Sequence, residues 1–231
     1  EGLGNQFLSH IREVDAIAHV VRIFDNANIT HVDVAIDPVR DVETINLELA
    51  LADLETTSKR LQSLERDVRA GKKESIVEHS ATEKANRVLA EGKSAQTAIY
   101  TPEERSALKG LHLLTMKPML YVLNKEAGGH NLDELNDGRF RALVEHLEAR
   151  GAPYVTVDAH VESELRELGG DDKHAFRQEY GVFDDGVNGL IRGGYELLGL
   201  ISFFTTGPEE TRAWTISRGA PAPVAGAALH S

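Results

Sequence analysis

The chain has 231 residues and a formal net charge of −12, which is enough length for one large domain or several small ones. It has no cysteine, which excludes disulfides and cysteine nucleophiles, and its acidic balance excludes nonspecific coating of nucleic acid, DNA included. No apolar run approaches the roughly 18 residues of a membrane span, and no signal pattern opens the chain, so we expect a cytoplasmic protein without a membrane partner.

The first half combines one strand-like run with several helical patterns. Residues 15–24 are almost continuously apolar and rich in Val and Ile, which is typical of a strand buried on both faces of a parallel sheet. Residues 44–68 place apolar side chains at helical spacing and predict a long amphipathic helix, of the kind found in antiparallel coiled-coil hairpins. Residues 71–73 are predicted to be either the tip of the hairpin or an early break in the helix, and a second helix is predicted over 76–89. A third helix opens at Thr101, the first residue of a Thr-Pro-Glu-Glu capping box.

The next segment has the pattern of a βαβ unit. Strands are predicted over 119–123 and 154–157, and between them residues 132–147 carry apolar side chains at helical spacing. Gly151 follows at the position of a helix C-cap. A strand, a helix and a strand joined by short connections predict a parallel sheet and therefore an α/β fold.

The last segment changes character. A helix is predicted over 187–198, and strand patterns over 200–204 and 212–216, separated by a Thr-Gly-Pro turn, predict a β-hairpin. The Pro- and Gly-bearing residues from 218 onward are expected to form a loop. We expect a domain boundary near Leu198.

A Gly-Lys-Ser sequence at residues 92–94 resembles the core of a phosphate-binding loop. The motif requires a glycine five residues before Gly92, where the chain has Arg87, and it requires a preceding strand, where the pattern is helical. We therefore expect residues 92–94 to be a loop between helices rather than a phosphate site.

Asn124 and Lys125 stand at the end of a predicted buried strand, where open α/β sheets bind their ligands. In guanine-nucleotide proteins an Asn-Lys-x-Asp sequence at this point reads the base, and its Asp accepts from guanine. Here Ala127 fills the fourth position and can accept nothing, while Glu126 comes one residue early. The pair either contributes to a nucleotide site or is a simple strand-to-loop turn. In either case the main reason to prefer GTP is missing.

Two histidines fall near the predicted sheet. His19 lies within the first strand run, where a hydrogen-bonded core residue is the usual finding, and His31 lies in the loop that follows. A single loop histidine is usually an exposed residue, although this loop should end near the ligand edge of the sheet.

Several stretches together resemble the YchF subfamily of Obg-like ATPases. They include EGLGNQFL, NITHV and FFTTGPEETRAWTI, and in full they lie at residues 1–8, 11–22, 28–32, 37–38, 43–49, 117–123, 191–195 and 203–216. The chain begins without Met, with residues that look like the end of that family's switch II loop. We therefore expect it to be part of a longer protein.

The resemblance implies a Ras-like P-loop G domain, an inserted helical coiled-coil arm and a truncated C-terminal TGS domain of β-grasp type. The implied boundaries are 1–43 for the first part of the G domain, 44–110 for the helical insertion, 111–180 for the second part of the G domain with the base-binding loop, 181–197 for a linker helix and 198–231 for the TGS domain.

The resemblance also implies a set of site residues. The family reads its base with Asn-x-x-Glu, which maps onto residues 124–127, so that Asn124 matches and Ala127 replaces the expected Glu. The implied base-binding residues are Asn124, Lys125, Glu126 and, in a second loop, Ala159. His31 matches a loop histidine suspected of assisting hydrolysis in the family.

The implied activity is Mg²⁺-dependent hydrolysis of ATP in preference to GTP by a protein associated with the ribosome, either the large subunit or the whole particle. The phosphate loop and the Mg²⁺ ligands would precede Glu1, so the chain alone is expected to be inactive. The alternative is a non-catalytic adaptor that binds the ribosome or protein partners through the arm and the hairpin.

Overall fold

The computed structural model describes residues 2–26, 36–166, 168–169, 172–173, 176, 186–207 and 210–229. The chain divides into two compact units, one comprising Glu1–Ile17 and Val39–Lys117 and the other Ala18–Pro38 and Pro118–Ser231. Long helices make up the first unit, whereas the second contains the strands that position the candidate site.

Four helices and three short turns build the first unit. Helix α1 spans Gly2–Glu13, α2 spans Pro38–Arg69, α3 spans Lys73–Ala90 and α4 spans Pro102–Leu108, with 3-10 turns at Ala95–Thr97, Lys109–Leu111 and Leu114–Met116. Helix α2 begins at Pro38 because a proline in the first turn gives up no helical hydrogen bond. The predicted helices over 44–68 and 76–89 are confirmed, and both extend further. We call α2, α3 and α4 the helical arm.

The turn between α2 and α3 ends the first helix with a specific hydrogen-bond pattern. The N–H of Lys72 donates to the carbonyl of Asp67 at 3.2 Å, and that of Gly71 donates to Val68 at 2.9 Å, as in a Schellman motif. Gly71 has a φ of +75°, which side chains with a Cβ rarely adopt. The prediction of a tip at 71–73 is confirmed.

Small side chains let the helices of the arm approach one another closely. The buried cluster of this unit consists of Ala50, Ala81, Ala85, Leu89, Ala95, Leu108 and Leu113. Arg60 on α2 adds a two-pronged ion pair to Glu78 on α3, with N···O distances of 2.6 and 2.8 Å. The amide of Asn86 donates to Thr57 and Ser58, which further fixes α3 on α2.

A buried carboxylate lies in the same unit. Asp53 of α2 is completely inaccessible to solvent and accepts from the backbone N–H groups of Leu114 and Thr115, at 2.9 and 2.7 Å. The Thr115 hydroxyl donates to it at 2.8 Å, and the Arg12 guanidinium of α1 donates at 3.1 Å. The carboxylate therefore links α1, α2 and the turn at Leu114–Met116.

The capping box of α4 gives this unit a pH-dependent contact. Glu104 is buried; it accepts from the Lys84 ammonium, the Thr101 backbone N–H and the Ser80 hydroxyl. The hydrogen bond from Lys84, followed by that from Thr101, lowers the pKa of Glu104 to about 2. The stabilisation is thus complete above the unfolded pKa of about 4.3 and is lost as the pH falls towards 2.

We therefore expect Glu104→Gln to lower the urea midpoint of unfolding at pH 7 and to match the parent protein near pH 2. The exposed Glu83→Gln on α3 removes the same charge without this contact and serves as the control. A difference between Glu104→Gln and the parent that stayed constant from pH 7 to pH 2 would contradict the assignment.

The second unit is organised around a small parallel sheet. Strands β1 (Ile17–Arg22), β3 (Met119–Asn124) and β5 (Tyr154–Val157) form it in the order β1-β3-β5, and β3 and β5 run parallel. Two short strands, β2 (Phe24–Asp25) and β4 (His130–Asn131), pair antiparallel beside it. The predicted strands and the parallel βαβ unit are confirmed. The expectation that the first strand is buried on both faces is wrong, because β1 lies at the edge of the sheet and its Val20 is 61% exposed.

In the described part of this unit, three helices accompany the sheet: α5 (Gly138–Glu148), α6 (Ala159–Leu165) and α7 (Gly186–Leu197). The buried apolar side chains of the strands, the helices and their connections include Leu120, Leu123, Leu132, Leu143, Leu147, Val157, Val161 and Leu165. Gly193 permits close packing of α7 on the sheet, because a Cβ there would lie 3.1 Å from Leu120 and 3.4 Å from Val155.

The helical pattern predicted over 132–147 was too long at its start. Helix α5 begins only at Gly138, because the carboxylate of Asp137 accepts from the N–H of Arg139 and caps the first turn. The Arg139 guanidinium, which also binds Asp25, lowers the pKa of Asp137 to about 2. Leu132 is nevertheless fully buried, which explains why it fitted the apolar pattern.

The C-terminal segment forms the predicted hairpin. Strands β6 (Leu200–Thr206) and β7 (Thr211–Ser217) pair antiparallel, and the Trp214 indole donates to the Thr205 hydroxyl at 2.9 Å. The expectation of a loop from residue 218 onward is wrong, because Ala222–Ala228 forms a helix, α8. Proline is tolerated in the first turn of a helix, and the alanines that follow favour the helical state.

Candidate functional site

Strands β3 and β5 end together at one edge of the parallel sheet. Asn124 at the end of β3 is in register with Val157 at the end of β5, and the N–H of Lys125 donates to the carbonyl of Val157 at 2.9 Å. The loops that follow the two strands therefore leave the sheet side by side, at the edge where open α/β sheets bind ligands.

The side chain of Asn124 joins these two loops. Its Oδ1 accepts from the backbone N–H of Ala159 at 3.0 Å, and its backbone carbonyl accepts from Ile23 at 3.0 Å. Within the described part of the chain, its Nδ2 makes no hydrogen bond. The structure thus brings two of the predicted site residues, Asn124 and Ala159, into direct contact and leaves one amide donor available to a ligand.

Asp158 directly precedes Ala159 and fixes the second loop, a role that the sequence did not predict. The residue is 6% exposed, and its Oδ1 accepts from the N–H groups of His160 and Val161, each at 3.0 Å. This caps α6, so that Ala159 is held at the start of that helix. An Asp placed just before a helical pattern is the signal that could have identified it.

Lys125 is bound to carboxylates of its own loop. Its ammonium lies 2.6 Å from Glu134 and 3.1 Å from Asp133, and only 16% of its side chain is exposed. Burial by itself would lower the pKa of Lys125, but the hydrogen bonds to Glu134 and Asp133 outweigh it and raise the pKa. Lys125 therefore stays charged and holds the loop in place, so its contribution to a ligand would come from its backbone.

Glu126 is engaged as well. Its Oε1 accepts from the Asn26 amide at 2.7 Å, and a Cβ on Gly129 would lie 2.6 Å from its Oε2, so the side chain packs over that glycine. The buried Asn131 braces the same residue by accepting from its N–H and donating to its carbonyl, both at 2.9 Å. Neither Asn26 nor Asn131 could be linked to Glu126 from the sequence, since no local pattern marks the pairing.

The remaining candidates lie outside this edge. His31 lies outside the described residues. His19 lies in β1 with its ring centroid 5.3 Å from that of Tyr121, and it is half-buried rather than the core residue that was expected. Residues 92–94 form a turn in which Gly92 has a φ of +73° and the Ser94 hydroxyl donates to the carbonyl of Thr115, which confirms the prediction of a loop.

Among the described residues, no group of three His, Asp or Glu side chains is arranged to hold a metal ion. None of the helices in the described part of the chain is long and apolar enough to cross a membrane.

The sheet, the helical insertion and the terminal hairpin define an α/β protein of the kind seen in YchF structures. The fold matches the solved structure of the Schizosaccharomyces pombe YchF GTPase with a TM-score of 0.80 and 30% identity, covering 98% of this chain and 61% of that one. Residues 200–231 match the family model YchF-GTPase_C, described as a protein of unknown function.

The chain is a homologue of the YchF ribosome-binding ATPases. It is 42% identical over 231 residues to the ribosome-binding ATPase YchF of Bacillus subtilis and 43% identical over 232 residues to that of Haemophilus influenzae. These matches cover 100% of this chain but only 63% and 62% of the relatives' lengths.

Proposed function

We propose that this chain carries the base-binding loops, the helical arm and the TGS hairpin of an ATPase that associates with the ribosome. The observation that carries the proposal is the 42% identity, along all 231 residues, to a protein named as a ribosome-binding ATPase. In this proposal the parallel sheet is part of a Ras-like G domain, the hairpin is part of a β-grasp TGS domain, and the domain boundaries are those that the sequence implies.

The adenine of ATP would rest against the loops that follow β3 and β5. Asn124 supports this role, because its Oδ1 already accepts a hydrogen bond from the N–H of Ala159, while its Nδ2 can donate to a ring nitrogen of the base. Ala127 cannot accept the two N–H groups that guanine presents, and the Glu126 carboxylate is already bound to Asn26. A guanine would leave these donors unpaired, so ATP is preferred over GTP.

Phosphate binding and Mg²⁺ chemistry lie beyond the residues described. Phosphoryl transfer requires backbone amides around the phosphates and a bound cation. The 231 residues contain no complete phosphate-loop motif. His31 is the residue proposed to assist hydrolysis.

Calorimetry on the complete gene product tests the base preference. We expect ATP to bind at least about 10-fold more tightly than GTP, which corresponds to one hydrogen-bonding mismatch of about 1–3 kcal/mol. Equal affinities would contradict the proposed reading of the base by residues 124–127. The 231 residues alone are expected to show no ATP turnover, and measurable turnover would contradict the assignment of phosphate binding elsewhere.

A further inference from the structure

The far end of the helical arm differs in charge from the rest of the protein. Residues 59–73, which we call the distal arm, hold six Lys or Arg and two Asp or Glu, a net charge of +4 in a chain of net charge −12. Glu74 and Glu78 of α3 follow closely and reduce the net charge of the tip to +2. Glu78 forms an ion pair with Arg60, and these two charges cancel. The excess of positive charge therefore comes from the other basic residues, which are Lys59, Arg66, Arg69, Lys72 and Lys73.

These basic residues lie on the solvent side of the arm. Lys59 and Arg66 are seven positions apart, two helical turns along one face of α2, and lie opposite the buried Thr57 and Leu64. Arg69 continues the face towards the turn. All of them are exposed, as are Lys72 and Lys73 at the tip.

The acidic neighbours only partly neutralise this surface. Lys59 pairs with Glu55, Arg69 with Glu65 and Lys72 with Asp67, whereas Arg66 and Lys73 form no ion pair within the described residues. The side chains of the three paired cations are 73%, 79% and 60% exposed. Ion pairs this exposed contribute little to stability and exchange readily for another anion.

Local stability explains only part of the charge at the tip: Lys72 pairs with Asp67 and follows the C-terminus of α2, where cations are favourable, but both lysines also stand at the start of α3. Lys72 is the N-cap of α3 and makes no side-chain capping bond, and Lys73 is the first helical residue. Cations are unfavourable at a helix N-terminus, where Ser, Thr, Asp or Asn would cap it and where the helix dipole favours negative charge. An anionic group of a partner would attract the ammonium groups of Lys72 and Lys73 and offset their unfavourable position at the N-terminus of α3.

We propose that the distal arm binds the phosphate backbone of ribosomal RNA through Arg66, Lys72 and Lys73, with Lys59 and Arg69 extending the contact. The inference rests on the proposed association with the ribosome and names the surface responsible. The Arg60–Glu78 pair and the hydrogen bonds of Asn86 stiffen the arm, so this surface is presented as a fixed unit. Phosphate contacts position a protein without reading sequence, so the binding depends on salt rather than on base identity.

Ribosome binding by two matched variants of the complete gene product tests the proposal. The distal variant carries Arg66→Gln, Lys72→Gln and Lys73→Gln, and the control carries Arg87→Gln, Lys93→Gln and Lys109→Gln, which are exposed positions outside the distal arm. We expect the distal variant to lose at least about 10-fold in affinity and to show a salt dependence shallower by about two to three in log–log slope. The control should change by less than about 2-fold.

Each other result has a definite meaning. An equal loss of ribosome affinity in both variants would show that only the net charge of the protein matters, and it would overturn the proposal. The proposal would also be overturned if the parent bound ribosomes and the distal variant bound them equally well. A parent protein that does not bind ribosomes would instead overturn the proposed function itself. A loss on ribosomes without a loss on protein-free ribosomal RNA would assign the contact to an acidic ribosomal protein and overturn the RNA partner.

Discussion

Replacing Asp53 with alanine is expected to lower the free energy of unfolding of the helical unit by about 3–5 kcal/mol, as the removal of one partner from a buried ion pair does. The carboxylate is fully buried and accepts hydrogen bonds from Leu114, Thr115 and Arg12. The alanine cannot accept any of them, so two buried N–H groups lose their acceptor, and the guanidinium loses its carboxylate but keeps its hydrogen bonds to His112, Ala52 and Thr56.

Urea unfolding followed by helical circular dichroism measures this effect on the 231 residues. Thr115→Val removes the hydroxyl that donates to Asp53 and that accepts from the buried N–H of Ala95, and it should lower the free energy of unfolding by about 2 kcal/mol. Glu48→Gln, at an exposed position of the same helix, should change it by less than about 0.5 kcal/mol. A loss below about 1 kcal/mol for Asp53→Ala would show that water or neighbouring groups replace the carboxylate.

Local patterns in the sequence were sufficient for most elements. The capping box at Thr101 and the apolar run of β3 each depend on residues within a few positions of one another, and both are found as predicted. The solved structure of a homologue supports the α/β class with its small parallel sheet and long helices. The boundaries of the five predicted domains remain predictions.

The errors arose where a residue type has two opposite uses. Pro221 and Pro223 are compatible with a loop, but a proline at the N-cap or in the first turn can also begin a helix, and here α8 follows. Leu132 has helical spacing from Leu143 and Leu147, but it is buried from the segment between β4 and α5. Spacing alone cannot distinguish these cases, because an apolar side chain can reach a core from a strand end as well as from a helix.

The contacts that organise the candidate site are remote in sequence. Asn26 and Glu126 are 100 positions apart, and Asn124 and Ala159 are 35 apart. Individual polar residues of this kind carry no periodic signal, so the sequence indicated the edge of the sheet but not how its loops are held. Asp53 shows the same limit, since Leu114 lies 61 positions away.

Asn124 provides the sharpest test of the candidate site, because its amide oxygen Oδ1 and its amide nitrogen Nδ2 have different proposed partners. Asn124→Asp keeps the oxygen that accepts from Ala159 and replaces the free Nδ2 donor with a negatively charged acceptor. The free energy of unfolding should therefore change by less than about 1 kcal/mol, while ATP affinity of the complete gene product falls by about 10- to 100-fold. Asn124→Ala loses both ends and should reduce stability by about 1 kcal/mol as well as binding.

Asn188→Asp, an exposed position on α7, makes the same change of charge away from the loops and should leave ATP affinity within about 2-fold of the parent. Calorimetry for binding and urea unfolding for stability, measured on all three variants, separate the two ends of Asn124. If Asn124→Asp bound ATP as tightly as the parent, the Nδ2 donor would not contact the base, and Asn124 would only tie β3 to α6. If Asn124→Asp and Asn124→Ala were equally destabilised, the contact with Ala159 would not hold the two loops together. The edge of the sheet is a base site only if both substitutions weaken ATP binding and Asn124→Ala lowers the free energy of unfolding more than Asn124→Asp does. Only that combination shows that the Asn124 amide both joins the two loops and contacts the base.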